Sequence, residues 1–302
     1  MLVLFGPLNP VLYRILGFQI IHIHWTASQF RPPRPKGALA NKFFYLWFKF
    51  FLRMVKICRL KLVWTAHNFL PHEPVFNDDL AARSLLVKHC DAVIALNQEN
   101  SNDIAKSFSP KKLVLIPAAE PALVPTQSRQ EVRCALQVGE DQLNFAALGH
   151  VRPYKGADIF LESLLLLKSK SSFVVAGAPG SEDFAGKIQS LADRVVESGK
   201  QLHMQLDFLP DAQLGNLMLA TDFLVCPFRQ ISNSGFVNQA MEMGIPMLLP
   251  DLPGLAWVPK DAAIWFDANN PLPALAKAIE RAEQLTTAER DQMRVAGSNY
   301  MK

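Results

Sequence analysis

Two segments of the chain carry residues whose types and spacing suit the binding of an anion. The first is Gly149-His150-Val151-Arg152-Pro153-Tyr154-Lys155-Gly156. It follows an apolar run, Phe145 to Leu148, and places a guanidinium and an ammonium at a turn. The second runs from Ser232 to Pro246, with Ser234-Gly235 where a helix is predicted to start and Gly244-Ile245-Pro246 just past its end. The first amide N–H groups of a helix lack intrahelical partners and sit at the positive end of the macrodipole, so a helix start attracts anions. A glycine there lets a phosphate approach the backbone. Two such elements in one α/β domain predict a diphosphate held between them.

The elements that must position these segments follow from hydrophobic periodicity. Short apolar runs alternate with helical patterns, the signature of a parallel sheet built from βαβ units. In the first half, strands are expected at 19–25, 61–66, 92–96 and 113–116, with helices near 42–58, 79–88 and 98–107. A small-residue, proline-bearing stretch from Ala118 to Ser128 reads as a linker. The second half starts afresh, with strands at 145–148, 172–176, 205–208, 223–227, 247–250 and 263–266. Helices are expected near 157–168, 181–199, 211–220, 235–243 and 272–284. Domains over residues 1–125 and 126–302 follow. In doubly wound sheets ligands bind beyond the carboxyl ends of the strands. Arg152, Lys155, Gly177, Pro179, Phe228 and Ser234 all fall just past strand ends, so one crevice is expected to gather them.

Charge and composition narrow the classes of partner. Half of the 302 residues are hydrophobic, enough for two cores. The four cysteines, Cys58, Cys90, Cys134 and Cys226, show no metal-ligand spacing, and a reduced cytosolic compartment is expected. No charged n-region or small-residue cleavage site marks a secretory leader. Residues 1–125 carry 15 Lys and Arg against 7 Asp and Glu, and the first acidic residue is Glu73. Basic residues mixed with aromatics suit an anionic membrane surface. The run from Phe43 to Leu62 is not a span, because Lys49, Arg53, Lys56, Arg59 and Lys61 interrupt it. Each would cost roughly 2.5–3.5 kcal/mol near the bilayer centre. An amphipathic helix fits, with Phe44, Trp47, Phe48, Phe51, Val55 and Cys58 on one face. That face serves either as a cover for the sheet or as a membrane contact, and one helix can do both. Nucleic-acid binding is disfavoured, since the basic residues mix with bulky apolar ones and form no polar stripe.

The order of the motifs resembles that of retaining GT-B glycosyltransferases of the large family 4 group. The matching phrases are His22-Ile23-His24-Trp25, Trp64-Thr65-Ala66-His67-Asn68, Pro71-His72-Glu73, Gly149 to Gly156 and Ala176-Gly177-Ala178-Pro179-Gly180. Ala220-Thr221-Asp222 with Cys226-Pro227, and Ser234-Gly235 to Pro246, complete the set. The resemblance implies an α/β fold of two Rossmann-like domains facing a cleft. A nucleotide-sugar donor would sit on the C-terminal domain and a lipid-linked or glycan acceptor on the N-terminal one. Arg152 and Lys155 resemble the pair that neutralises the leaving diphosphate. Gly149, Gly177 and the backbone N–H groups of Ser234, Gly235 and Phe236 are expected to line the same site.

Gln239 stands where the family usually has a glutamate on the ribose, so its amide oxygen accepts but the charge is lost. The motif's earlier acidic position falls at Ile231 or Ser232. By resemblance His67 faces the donor sugar as a contact, with a satisfied, partly buried histidine as the alternative. His150 falls near the donor phosphates. His22 and His24 share a strand face, and strand-end packing outweighs a metal site with His72 or Glu73. No metal or cofactor is expected beyond a UDP- or GDP-sugar donor. The family's opening strand and glycine-rich loop have no counterpart before His22, so the first domain is expected to be incomplete. The expected place of action is the cytoplasm, with a peripheral site on the inner face of the plasma membrane. A non-catalytic scaffold of a polysaccharide assembly complex is the main alternative, and a nucleotide-sugar epimerase a third.

Overall fold

The computed structural model describes residues 8–24, 38–70, 75–116, 123–231 and 234–301. Trp25, the Pro71-His72-Glu73 phrase, Ser232 and most of the linker's first half lie outside them. The chain divides into two compact units, Met1–Ala118 and Ala119–Lys302.

The first unit runs α1 (Asn9–Ile15), β1 (Ile20–Ile23), α2 (Ala38–Ile57), β2 (Lys61–Ala66), α3 (Asp79–His89), β3 (Ala92–Ala95), α4 (Gln98–Phe108) and β4 (Leu113–Leu115). Its described strands form a parallel sheet in the order β1-β2-β3-β4. The register Ile21↔Leu62, Ile23↔Trp64 and Trp64↔Val93 aligns one apolar face. That face packs on Phe48, Phe51, Leu52 and Val55 of α2, all buried. The expected apolar face of α2 is therefore a sheet cover. The helix carries a second stripe that the sequence reading did not separate. Leu39, Phe43, Leu46, Phe50 and Ile57, three or four residues apart apart from a step over Arg53, are exposed. Among the described residues no helix is long and apolar enough to cross a membrane.

The second unit runs α5 (Arg129–Ala135), β5 (Asn144–Leu148), α6 (Ala157–Leu164), β6 (Ser172–Ala176), α7 (Glu182–Glu197), β7 (Gln201–Gln205), α8 (Asp211–Ala220), β8 (Phe223–Val225), α9 (Gly235–Glu242), β9 (Met247–Pro250), β10 (Ala263–Phe266), α10 (Pro271–Gln284) and α11 (Thr287–Tyr300). Its six described strands are parallel in the order β10-β9-β8-β5-β6-β7, a doubly wound sheet whose direction of growth reverses between β5 and β8. Both faces are buried, as helices on either side of a parallel sheet require. Phe145, Phe173 and Phe223 meet on one face, with ring centroids 5.9 and 5.3 Å from Phe145. Ala146, Val174 and Leu224 fill the other.

The structure moves or adds four elements. The strand expected at 205–208 lies at Gln201–Gln205, because its pairing with β6 runs from Ser172↔Gln201 to Ala176↔Gln205. The apolar pair Leu206 and Phe208 suggested the later position, yet Phe208 is 74% exposed. Helices α1, α5 and α11 were not expected. α5 and α11 each open with a capping box, Ser128 with Glu131 and Thr286 with Glu289, a signature legible in the sequence.

Candidate anion-binding site

The switch point places the loops after β5 and β8 side by side. The turn after β5 is a short 3₁₀ segment, Pro153–Lys155, closed by Gly156 at φ 74°. A Cβ at Gly156 would stand 1.9 Å from the Pro227 carbonyl oxygen in the loop after β8. Only glycine fits there, because both the left-handed backbone and the fixed carbonyl exclude a side chain. Gly149, at φ 96°, presses its Cα against the Phe236 ring, where a Cβ would lie 2.4 Å from Cε2. Gly177, at φ 146°, stacks on the Gly149 carbonyl, which its Cβ would meet at 1.9 Å. Packing thus requires Gly149 and Gly177, two of the three glycines assigned to the ligand.

These contacts bring the two anion elements together. Gly149, His150, Lys155, Cys226, Pro227, Phe228 and Phe236 line one shallow pocket. The Lys155 ammonium lies 5.0 Å from the Phe236 ring centroid, so the second residue of α9 carries the cation of the first turn. Lys155 is half-buried and, among the described residues, forms no ion pair with a carboxylate. Burial lowers its pKa from the ordinary lysine value; the polar neighbour Cys226 opposes this and Arg152 adds to it. Cys226 is itself buried, and burial pushes its thiol up to about 12. The thiol is therefore an inert wall. Arg152 is exposed and lays its aliphatic stem against Gly180 in the loop after β6. Burial lowers the pKa of His150, and the charges of Arg152 and Lys155 lower it further. A neutral imidazole beside two cations keeps the site's field positive.

At the start of α9 the Ser234 side chain accepts from the Val237 N–H at 3.4 Å. Ser234 is buried and acts as the N-cap. Gly235 opens the helix, and its amide belongs to the group without intrahelical partners. Gln239 is buried on the same helix, one turn on from Gly235. Of the residues expected in one crevice, Lys155 and Phe228 line this pocket, whereas Arg152, Gly177, Pro179 and Ser234 stand outside its lining. A pocket with the Lys155 cation and the first turn of α9, but no carboxylate among its described lining residues, suits an anion.

His67 belongs to the first unit, directly after β2. Its Nε2 lies 3.2 Å from His24 Nδ1, and His22 Nε2 lies 2.8 Å from Thr65 Oγ1. Burial lowers the pKa of His67, and the neighbouring His24 and His22 lower it further. The three imidazoles therefore share a strand-end cluster. Among the described residues no group of three or more His, Cys, Asp or Glu has the geometry of a metal site. His72 and Glu73 lie outside the described residues. Asn97 caps α4, and Asn100 Nδ2 donates to the Ala66 carbonyl at 2.6 Å, fixing the end of β2.

The sequence reading missed the residues that hold the first turn in place. Asp158, buried in the first turn of α6, pairs with Arg229 and with Lys187. Burial raises the Asp158 carboxyl, but the hydrogen bonds and charges of Arg229 and Lys187 outweigh it and hold its pKa below the ordinary value. An acid three residues past Lys155 was the available signal. Its partner lies some seventy residues on, and only the fold reveals it.

Comparisons with known proteins agree with this architecture. Residues 142–284 match the family model described as Glycosyl transferases group 1. A GDP-mannose:glycolipid 4-beta-D-mannosyltransferase of Xanthomonas campestris pv. campestris is 21% identical over 82% of this chain. The chain spans 64% of that relative's length. Among solved structures, sucrose-phosphate synthase from Thermosynechococcus elongatus superposes with a TM-score of 0.75 at 16% identity, covering 97% of this chain and 71% of its own. The Anabaena protein HepE in complex with UDP gives a TM-score of 0.72 at 15% identity, covering 97% and 75%. At these identities the likeness is one of fold, and the two α/β units are those of the GT-B class.

Proposed function

We propose that this chain, whose residues 142–284 match the family model of Glycosyl transferases group 1, moves a sugar from a nucleotide-diphosphate sugar to a lipid-linked or polysaccharide acceptor. One observation carries the reading: a half-buried lysine without a carboxylate partner among the described residues, poised over the first turn of α9 at the sheet's switch point. A cation kept in such a place gains most from a ligand that brings the negative charge. In this reading Arg152 and Lys155 clamp the diphosphate, and the backbone N–H groups of Ser234, Gly235 and Phe236 donate to its remaining oxygens. Charge on the leaving diphosphate then meets side chains and backbone dipoles rather than a metal ion. Gln239 holds the ribose through its amide oxygen. For His67 the role is a hydrogen bond to a sugar hydroxyl. Transfer is proposed to retain anomeric configuration, with no protein nucleophile required. Residues 126–302 are the donor domain and residues 1–125 the acceptor-side domain.

The donor nucleotide is UDP or GDP, in keeping with the UDP bound to HepE and the GDP-mannose named for the Xanthomonas relative. That relative's name also specifies a glycolipid acceptor. The exposed stripe Leu39, Phe43, Leu46, Phe50 and Ile57, with Lys42, Arg53 and Lys56 also exposed on the helix, supports a peripheral contact with an anionic membrane. Sedimentation with phosphatidylglycerol vesicles tests this, and equal binding to phosphatidylcholine vesicles would remove the electrostatic part. A role in bacterial surface polysaccharide synthesis belongs to the same proposal.

The test is a thermal-shift and turnover screen against UDP- and GDP-sugars. Binding of one series, lost in Lys155→Ala, is expected. Failure to bind any nucleotide sugar, with Lys155→Ala indistinguishable from the natural chain, would end the reading. Gln239 in place of a carboxylate favours a second reading, a scaffold that binds donor without transferring the sugar. Donor binding without hydrolysis or transfer to any glycolipid supports that alternative.

A further inference from the structure

Arg229 lies in the loop between β8 and α9, yet its hydrogen bonds cross to the turn after β5. Nη1 donates to the Pro153 carbonyl at 2.5 Å and to Asp158 Oδ1 at 2.8 Å. Nη2 donates to Asp158 Oδ2 at 3.0 Å, and the Arg229 backbone N–H donates to the Tyr154 carbonyl at 2.8 Å. On the far side, Lys187 of α7 donates to Asp158 Oδ2 at 2.6 Å. One residue thus ties its own loop to the turn that carries Arg152 and Lys155. The fork geometry of guanidinium and carboxylate fixes orientation as well as distance. A second point of the same contact is the Gly156 Cα against the Pro227 carbonyl.

The arrangement also says what Arg229 does not do. It pairs with Asp158, a carboxylate shared with Lys187, and both terminal nitrogens are already engaged within the protein. It is therefore a poor candidate for a phosphate ligand, although it is a cation beside the site.

We propose that Arg229 and Asp158 form a positioning clasp, which sets the spacing between the cationic turn and the start of α9 so that a single diphosphate reaches both. The inference rests on the diphosphate reading of the same site. A clasp is needed because the two ligand elements sit in separate loops. The loop from Cys226 to Ile231 contains no helix or strand to hold its shape. Displacement of a charged group by about 1 Å is enough to cost a large factor in function.

The test compares Arg229→Ala, Arg229→Lys and Asp158→Asn in the full chain. Calorimetric titration uses UDP and uridine, or GDP and guanosine, whichever series binds the natural chain. Hydrogen exchange is measured on peptides covering 152–158 and 226–231. The expected result is about a tenfold or greater loss of diphosphate affinity with nucleoside affinity unchanged. Faster exchange confined to those two peptides should accompany it. Arg229→Lys should recover part of the loss, because one ammonium reaches Asp158 but not also the Pro153 carbonyl. An equal loss for nucleoside and diphosphate would show a merely structural residue and overturn the proposal. Unchanged affinity in all three variants would overturn it as well. If the natural chain binds neither UDP nor GDP, the diphosphate reading itself fails and takes the clasp's role with it. Should Arg229→Ala not fold, the Lys and Asn variants still separate these outcomes.

Discussion

Replacing Lys155 by methionine separates a ligand-binding cation from a structural one. Methionine keeps the unbranched stem against Phe236 and removes the ammonium. In the unliganded protein the ammonium is half-buried, forms no ion pair with a carboxylate among the described residues, and has its pKa lowered chiefly by burial. Its charge therefore costs stability at neutral pH. The ring 5.0 Å away returns about 0.5–1 kcal/mol of cation–π attraction. The two effects oppose each other, so the unfolding free energy of Lys155→Met is expected to stay within about 1 kcal/mol of the natural chain. Binding behaves differently. A charge-assisted hydrogen bond to a phosphate oxygen is worth about 1.5–3 kcal/mol, so affinity for UDP or GDP falls about ten- to hundredfold. Urea unfolding without ligand and calorimetric titration with the nucleotide read the two quantities separately. A loss of about 2 kcal/mol or more in ligand-free stability, with nucleotide affinity preserved, would refute the argument and make Lys155 a cation the fold itself requires.

Gly156→Ala should destabilise by about 2–4 kcal/mol in urea unfolding, because a left-handed backbone and a fixed carbonyl 1.9 Å from the new Cβ act together. Asp222→Ala should cost about 3 kcal/mol by the same assay. It strips Arg133, whose side chain is 12% exposed, of the carboxylate it meets at 2.9 Å, and it leaves the Asn144 N–H without its acceptor. The melting temperature should fall as pH drops below about 6.5, where unfolded histidines take up protons. His67, His150 and His203 have lowered pKa values, mainly through burial, so the unfolded chain binds more protons there. Their contribution is complete above the unfolded value and is lost as pH falls through the folded ones. His67→Gln, His150→Gln and His203→Gln should each flatten that slope in a thermal-shift series, and an unchanged slope for all three single variants would count against it.

Much of the second unit could be read from local pattern. The strand positions at 172–176, 247–250 and 263–266 and the helix at 211–220 follow from apolar runs and periodicity, which report burial directly. The cationic turn and the Ser234 cap were equally legible, because capping and turn chemistry act over a few residues. The capping boxes of α5 and α11 were legible too but went unread. The edge strand β7 misled, since its residues are half-buried and alternate polar with apolar over a short span, and its place is set by pairing with β6.

What the chain's local chemistry determined is the pair of anion-seeking elements and the parallel α/β class around them. The fold decided that β5 and β8 are neighbours, so that loops some seventy-five residues apart share a pocket and Phe236 lies beneath Lys155. It also gave Gly149, Gly156 and Gly177 a packing reason, and paired Asp158 with Arg229. Strand order and close backbone approach are long-range properties. Sequence spacing encodes the hydrogen bonds and burial of each element, but not which element its neighbour will be.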